Sequence, residues 1–165
     1  MPRDLKSKIH SPEEVESVAD RLRGEGKTVV FTNGCFDLLH TGHVCYLAEA
    51  RLLGDFLIVG VNSDGSVRAI KGPDRPFLPL EDRLTMLAAL ESVDAVTWFD
   101  EPTPESLIRA IRPSIHAKGG DYRVEDINEA DLVRELGGRV VVLSLVEGRS
   151  TSWLLDHIGR RVSGK

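Results

Sequence analysis

Thr28-Val29-Val30-Phe31-Thr32-Asn33-Gly34-Cys35-Phe36-Asp37-Leu38-Leu39-His40-Thr41-Gly42-His43 is the stretch on which the fold turns. Its first five residues are apolar or β-branched, the composition of a short strand buried on both faces. Asn33 to Gly42 is a tight segment with two glycines. A helical pattern from about His43 to Leu53 follows, with Val44, Leu47, Ala48 and Leu52 on one face. A buried strand that hands over to a helix in this way opens a βαβ unit.

The same alternation runs outward in both directions. Upstream, Ser11-Pro12-Glu13-Glu14 reads as a capping box with proline in the first turn. Val15, Val18, Ala19 and Leu22 then form an apolar helical face that Gly24 and Gly26 end. Downstream, strands are predicted at Phe56 to Val61, Ala95 to Phe99, Ser114 to Ala117 and Arg139 to Leu143. Helices are predicted with Leu80, Leu84, Leu87 and Ala88 inward, then from Pro104 to Ile111, from about Glu125 to Leu136, and from Ser150 to Val162 with Leu154, Leu155 and Ile158 inward. Asn62 to Pro79 reads as a polar loop. Strands alternating with helices imply a parallel sheet covered on both faces. The expectation is one Rossmann-like, doubly wound α/β domain with five parallel strands at residues 28–165, preceded by a helical extension at 1–27. In such sheets ligands bind beyond the carboxyl ends of the strands.

Composition narrows the function. Lys and Arg number 21 against 26 Asp and Glu, a net charge of −5, which argues against a nucleic-acid partner. Cys35 and Cys45, the two cysteines, fit neither a disulfide framework nor a zinc pattern and read as reduced thiols in a cytoplasmic protein. No signal peptide and no membrane span are expected.

The strand-end loops carry the chemistry. The first contains neither G-x-G-x-x-G nor a P-loop. It places His40 and His43 around Thr41-Gly42 at a helix start, where free N–H groups suit phosphate. A histidine pair alone would serve metal ligation or capping equally well. Lys71, in the loop after the second strand, can fold over a ligand as a mobile point charge. Lys118-Gly119-Gly120-Asp121-Tyr122 follows the fourth strand and offers a cation for phosphate and a carboxylate for sugar hydroxyls or metal. Ser150, Thr151 and Ser152 open the last helix as caps or phosphate ligands. Arg75 is a further candidate, and Arg83 either meets substrate or pairs on its own helix.

Gly34, Phe36, Asp37, His40, Gly42 and His43 match G-x-F-D-x-x-H-x-G-H, the signature of the cytidylyltransferase-like nucleotidyltransferases. The chain resembles that family over roughly Val29 to Ile158. Within it the chain is most similar to the adenylyltransferases that act on D-glycero-D-manno-heptose 1-phosphate, through Val61-Asn62-Ser63-Asp64, Lys71-Gly72, Arg75-Pro76, Glu81-Asp82-Arg83, the Lys118 stretch and Ser150-Thr151-Ser152. Arg149 and Trp153 depart from the pattern.

The resemblance implies transfer of AMP from ATP to a sugar 1-phosphate. His40, His43 and Lys71 are the expected catalytic groups. Thr32, Asn33, Gly34, Cys35, Phe36, Asp37, Gly42, Gly119, Ser150, Thr151 and Ser152 are expected at the nucleotide. Asp37, Lys71, Arg75, Lys118, Asp121 and Tyr122 are expected at the acceptor. Mg²⁺ is expected with the triphosphate, near Asp37. A separate sugar kinase and a homodimer are further expectations. The alternatives are a CTP-dependent enzyme acting on glycerol 3-phosphate or a similar phospho-alcohol, and a nucleotide-binding regulatory subunit.

Overall fold

The computed structural model describes residues 4–120, 123–144 and 151–162. A 3-10 turn, Leu5–Lys8, leads to helix α1, Pro12–Gly24. Ser11 caps it by accepting from the Glu14 backbone N–H, and Glu14 returns a contact to the Ser11 N–H, which is the predicted capping box. Then come β1 (Val29–Gly34), α2 (Thr41–Arg51), β2 (Phe56–Asn62), α3 (Asp64–Lys71), α4 (Leu80–Ala88), β3 (Ala95–Phe99), α5 (Glu105–Ile111), β4 (Ile115–Gly119), α6 (Ala130–Glu135), β5 (Arg139–Leu143) and α7 (Thr151–Val162).

All five strands are parallel, in the order β3-β2-β1-β4-β5. Alternate residues of each central strand enter opposite cores, as period-two geometry requires. Val30, Leu57, Val59, Val61 and Val96 meet Tyr46, Leu47 and Ala50 of α2 and Leu84, Leu87 and Ala88 of α4. Val29, Phe31, Ile58, Ala95 and Phe99 meet Val15, Ala19 and Leu22 of α1, Leu107, Ile108 and Ile111 of α5, and Leu132 and Val133 of α6. At the sheet's open side the Ile9 backbone bridges to Val96 of β3, partly covering that edge.

Four expectations need correction. The segment from Asn62 to Pro79 is not all loop, because α3 occupies eight residues of it behind a Ser63 cap that accepts from the Ser66 N–H. Helix α2 buries Tyr46, Leu47 and Ala50, while Val44, Ala48 and Leu52 face outward. Of the predicted face only Leu47 is buried, and Leu52, just past the helix end, is 85% exposed. The helix expected across Glu125 to Leu136 is split into a 3-10 turn, Val124–Asp126, and the short α6. In α7, Ile158 is exposed rather than inward.

Candidate active site

Successive connections carry the chain from β1 to β2 and β3 on one side, then back across the sheet to β4 and β5 on the other. The carboxyl ends of β1 and β4 therefore feed loops that diverge, leaving a crevice at the topological switch point. A cleft of about 480 Å³ lies there. The end of β1 and the loop after it line the cleft with Asn33 through Asp37, and α2 contributes His43 and Tyr46. Lys71, Lys118, Gly119, residues 126–129 and Thr151 complete the wall.

The loop after β1 turns sharply. Phe36 takes a left-handed φ of 44°, a strained conformation for a side chain of that size. Its ring folds back over Gly34, where a Cβ would stand 3.1 Å from Phe36 Cε2, tight enough that glycine suits the position. The ring also touches His43, with centroids 5.3 Å apart. His40 is the N-cap residue of α2 yet makes no side-chain cap bond. It stacks on His43 instead, with centroids 3.9 Å apart and planes 29° from parallel. Burial, the neighbouring His40 and the Lys71 charge push the His43 pKa down to about 4. Burial lowers that of His40. Both rings are neutral at neutral pH, so each offers one N–H donor and no positive charge. The Nδ1 atoms of both are buried without a partner among the described residues.

Asp37 lines the cleft, and its carboxylate is already engaged by the protein. It is 2% exposed, and its two oxygens accept from Arg75 Nε at 2.6 Å, Phe77 N at 2.7 Å and Leu78 N at 3.2 Å. These bonds pin the 75–78 segment to the loop after β1. Arg75 is correspondingly drawn onto Asp37 and over the Phe77 ring at 4.6 Å. Arg83 was expected to meet substrate or to pair on its own helix, and it does neither. Its side chain is fully buried and donates to the carbonyls of Leu78, Cys35 and Asn62 and to the Asp64 carboxylate. Thr32 is also displaced from the expected role. It is fully buried, with its Oγ1 2.6 Å from the Tyr46 hydroxyl, which donates in turn to the Ala117 carbonyl. These bonds tie β1, α2 and β4 together beneath the cleft.

Lys71 lies on a helix, not in a loop. It is the last residue of α3, and Gly72 at φ 98° ends the helix immediately after it. The C-terminal end of a helix dipole favours a cation there, and the exposed side chain reaches the cleft wall. Across the cleft Lys118 Nζ is 3.1 Å from Asn33 Oδ1 and 3.2 Å from Glu129 Oε1. Glu129 and the 126–128 wall were not anticipated, since nothing short of the fold brings them to β1. Gly42 is buried in α2 and does not line the cleft. Asp121, Tyr122 and Ser150 lie outside the described residues, as does the side chain of Ser152. Cys35 and Cys45 are free thiols, and burial raises the Cys35 pKa, which suits an inert cysteine. Among the described residues no three of His, Cys, Asp and Glu gather to hold a metal ion, and no helix is long and apolar enough to cross a membrane.

The chain is 53% identical over 152 residues to the bifunctional protein HldE of Syntrophotalea carbinolica, covering 92% of this chain and 31% of that protein. It is 48% identical to HldE of Trichlorobacter lovleyi, covering 96% and 32%. The chain thus spans about a third of the length of these relatives. Among solved structures, the lipopolysaccharide core biosynthesis protein of Thermoplasma volcanium superposes with a TM-score of 0.61 at 30% identity, covering 73% of this chain and 98% of that one. Pantoate-beta-alanine ligase of Francisella tularensis shares the fold, with a TM-score of 0.55 at 15% identity over 87% of this chain and 68% of that one. The cytidylyltransferase-like family model matches residues 31–159, from the middle of β1 into α7, and the chain belongs to that family.

Proposed function

We propose that the cleft transfers AMP from ATP to D-glycero-D-manno-heptose 1-phosphate, giving ADP-heptose and pyrophosphate. The observation that carries this reading is the convergence of the neutral His43 imidazole, stacked on His40, with Lys71, Lys118 and the start of α7 on one cleft at the switch point. Its finer part, the sugar, rests on the resemblance and on the similarity to HldE proteins.

An acceptor phosphate oxygen forms a bond to the α-phosphorus, the bond from that phosphorus to the bridging oxygen breaks, and pyrophosphate leaves in line. The acceptor is already anionic, so no general base is needed, and catalysis is positioning plus stabilisation of charge. His43, backed by His40, donates to the α-phosphoryl region. Lys71 supplies a mobile charge from the α3 end, and Thr151 at the α7 start faces the β- and γ-phosphates. Mg²⁺ enters as MgATP, held by phosphate oxygens and water. The described residues offer it no cage, and Asp37 is already engaged, so no step is assigned to it. A cytoplasmic homodimer belongs to the same proposal, with light scattering as the measurement of subunit number. A phosphoryl-transferring sugar kinase reaction has to make the acceptor.

The test is pyrophosphate release from the purified chain with each of four nucleotides against heptose 1-phosphate, glycerol 3-phosphate and related acceptors. ATP with the heptose phosphate is the expected productive pair. CTP with glycerol 3-phosphate as the only productive pair would overturn the substrate assignment. Binding without any turnover would favour a regulatory subunit.

Lys71→Ala separates catalysis from stability. A charge-assisted phosphate contact is worth about 1.5–3 kcal/mol, so kcat/KM is expected to fall roughly 10- to 100-fold. The exposed side chain makes little of the core, so stability should stay within about 0.5 kcal/mol. A large drop in melting temperature with full activity in the folded fraction would make Lys71 structural.

A further inference from the structure

Asn33 reaches the cleft from the end of β1, and its amide oxygen is held from two sides. Lys118 Nζ and His116 Nε2 each lie 3.1 Å from Asn33 Oδ1. An ammonium has donors and no acceptor, so the amide atom it touches is the oxygen. The histidine facing that oxygen must then carry its proton on Nε2. Asn33 Nδ2 is left on the opposite side of the amide, with no partner among the described residues, in a residue that lines the cleft. Glu129 Oε1 accepts from Lys118, so the ammonium is itself held in place.

His116 is the buried member of this set. It is fully buried in β4, with its ring 5.3 Å from that of Phe31, and it does not line the cleft. Burial and the Lys118 charge push its pKa down to about 3, so the ring stays neutral. Nδ1 has no partner among the described residues. Burying an imidazole with one satisfied nitrogen costs more than an apolar side chain would, and the one bond it makes is to Asn33.

Building on the nucleotidyl-transfer reading, we propose that His116 is a positioning residue for the nucleotide. By donating to Asn33 Oδ1 it keeps the Asn33 amide N–H groups turned into the cleft, where they donate to an oxygen of the nucleotide phosphates. Without that bond the amide is restrained by Lys118 alone. Rotation by half a turn then points the carbonyl oxygen at the phosphate, replacing attraction with repulsion.

ATP affinity and steady-state kinetics of the full chain test this with His116→Leu, His116→Gln, Asn33→Ala and the double variant His116→Leu/Asn33→Ala. Losing one buried neutral hydrogen bond should weaken ATP binding about three- to tenfold in His116→Leu, with a smaller change in kcat. His116→Gln can donate to the same oxygen and should stay within about twofold of wild type. The double variant should bind ATP no worse than Asn33→Ala, because the histidine acts through the asparagine. Unchanged ATP affinity in His116→Leu, or effects that add in the double variant, overturns the proposal. Should leucine at 116 prevent folding, Asn33→Asp carries the test: it keeps the acceptor that His116 and Lys118 use and removes the amide donors. At least about tenfold weaker ATP binding is expected, and unchanged binding overturns the proposal. A wild-type chain that neither binds ATP nor releases pyrophosphate would sink the nucleotidyl-transfer reading first, a result distinct from either of these.

Discussion

Replacing His43 with alanine is expected to lower kcat by roughly 10²–10³-fold, the usual effect of removing one preorganised donor from developing charge. The ring lines the cleft at the end of α2 nearest the β1 carboxyl end, where the proposed reaction puts the α-phosphoryl group. Charge there and on the leaving oxygen grows between ground state and transition state. An interaction made mainly in the transition state lowers kcat and kcat/KM together, with KM for ATP little changed. The competing role is structural, since His43 stacks on His40 and touches Phe36. A purely structural ring would lower the melting temperature and leave kcat of the folded fraction intact, so kinetics and thermal melts on one preparation separate the two. The pH dependence adds a second check. With a pKa near 4, His43 does not titrate near 6.5 in the free enzyme. Wild type and variant should therefore show kcat/KM profiles of the same shape around pH 6.5, offset by a constant factor. For stability the sign runs the other way. A histidine depressed from 6.5 to about 4 costs the wild type stability as pH falls through that window, because the unfolded chain binds the proton first. His43→Ala should lose less stability than wild type between those limits.

What could be read without coordinates was what local sequence encodes. The capping box at Ser11 and Glu14, the apolar strands and the helix through Leu84, Leu87 and Ala88 all lie within a few residues of their own signals. Helix α3 was missed because Asp64, Gly65, Ser66, Arg68 and Lys71 outnumber its apolar residues, and Ser66 and Val67 are the buried ones. The Ser63 cap was the available signal. The face of α2 was misjudged because periodicity offers two phases. Val44, Leu47, Ala48 and Leu52 read as one apolar face, but only Leu47 of them is buried, and Tyr46 joins it in the core by pairing its hydroxyl with Thr32 and the Ala117 carbonyl. The signature located the site at the β1 end, yet could not say which of its side chains face inward. Thr32 looks like a ligand in sequence and is a buried holder in three dimensions, whereas Asp37 lines the cleft with its carboxylate tied to the 75–78 segment. The Asn33–His116 and Asn33–Lys118 contacts join residues 83 and 85 positions apart, and only the β1–β4 adjacency creates them.

Arg83 is the residue whose loss should cost the fold most among the polar groups near the cleft. Its guanidinium joins four segments: the loop after β1 through the Cys35 carbonyl at 2.6 Å, the end of β2 through the Asn62 carbonyl at 2.8 Å, α3 through Asp64 at 2.7 Å, and the approach to α4 through the Leu78 carbonyl at 3.1 Å. Two opposing effects decide the outcome of Arg83→Met. Desolvating a guanidinium is costly, so an apolar replacement of similar length recovers part of the loss. Removing one partner, however, leaves three carbonyls and a carboxylate short of donors, and breaking a buried pair on one side is the strongly destabilising case. Asp64 is about a third exposed, so water meets some of its need. The net expectation is a loss on the order of 3 kcal/mol, at the low end of the range for one-sided breakage. For a domain of this size that lowers the melting temperature by roughly 6–12 °C. Arg83→Lys should fall nearly as far, because one ammonium cannot reach acceptors spread over four segments. Arg83→Met combined with Asp64→Asn should recover only part of the loss, since the carbonyls stay short of donors. Thermal melts of the three variants decide the matter: a fall of less than about 2 °C in Arg83→Met, or full recovery in the double variant, would mean that the guanidinium is held by the fold and does not hold it.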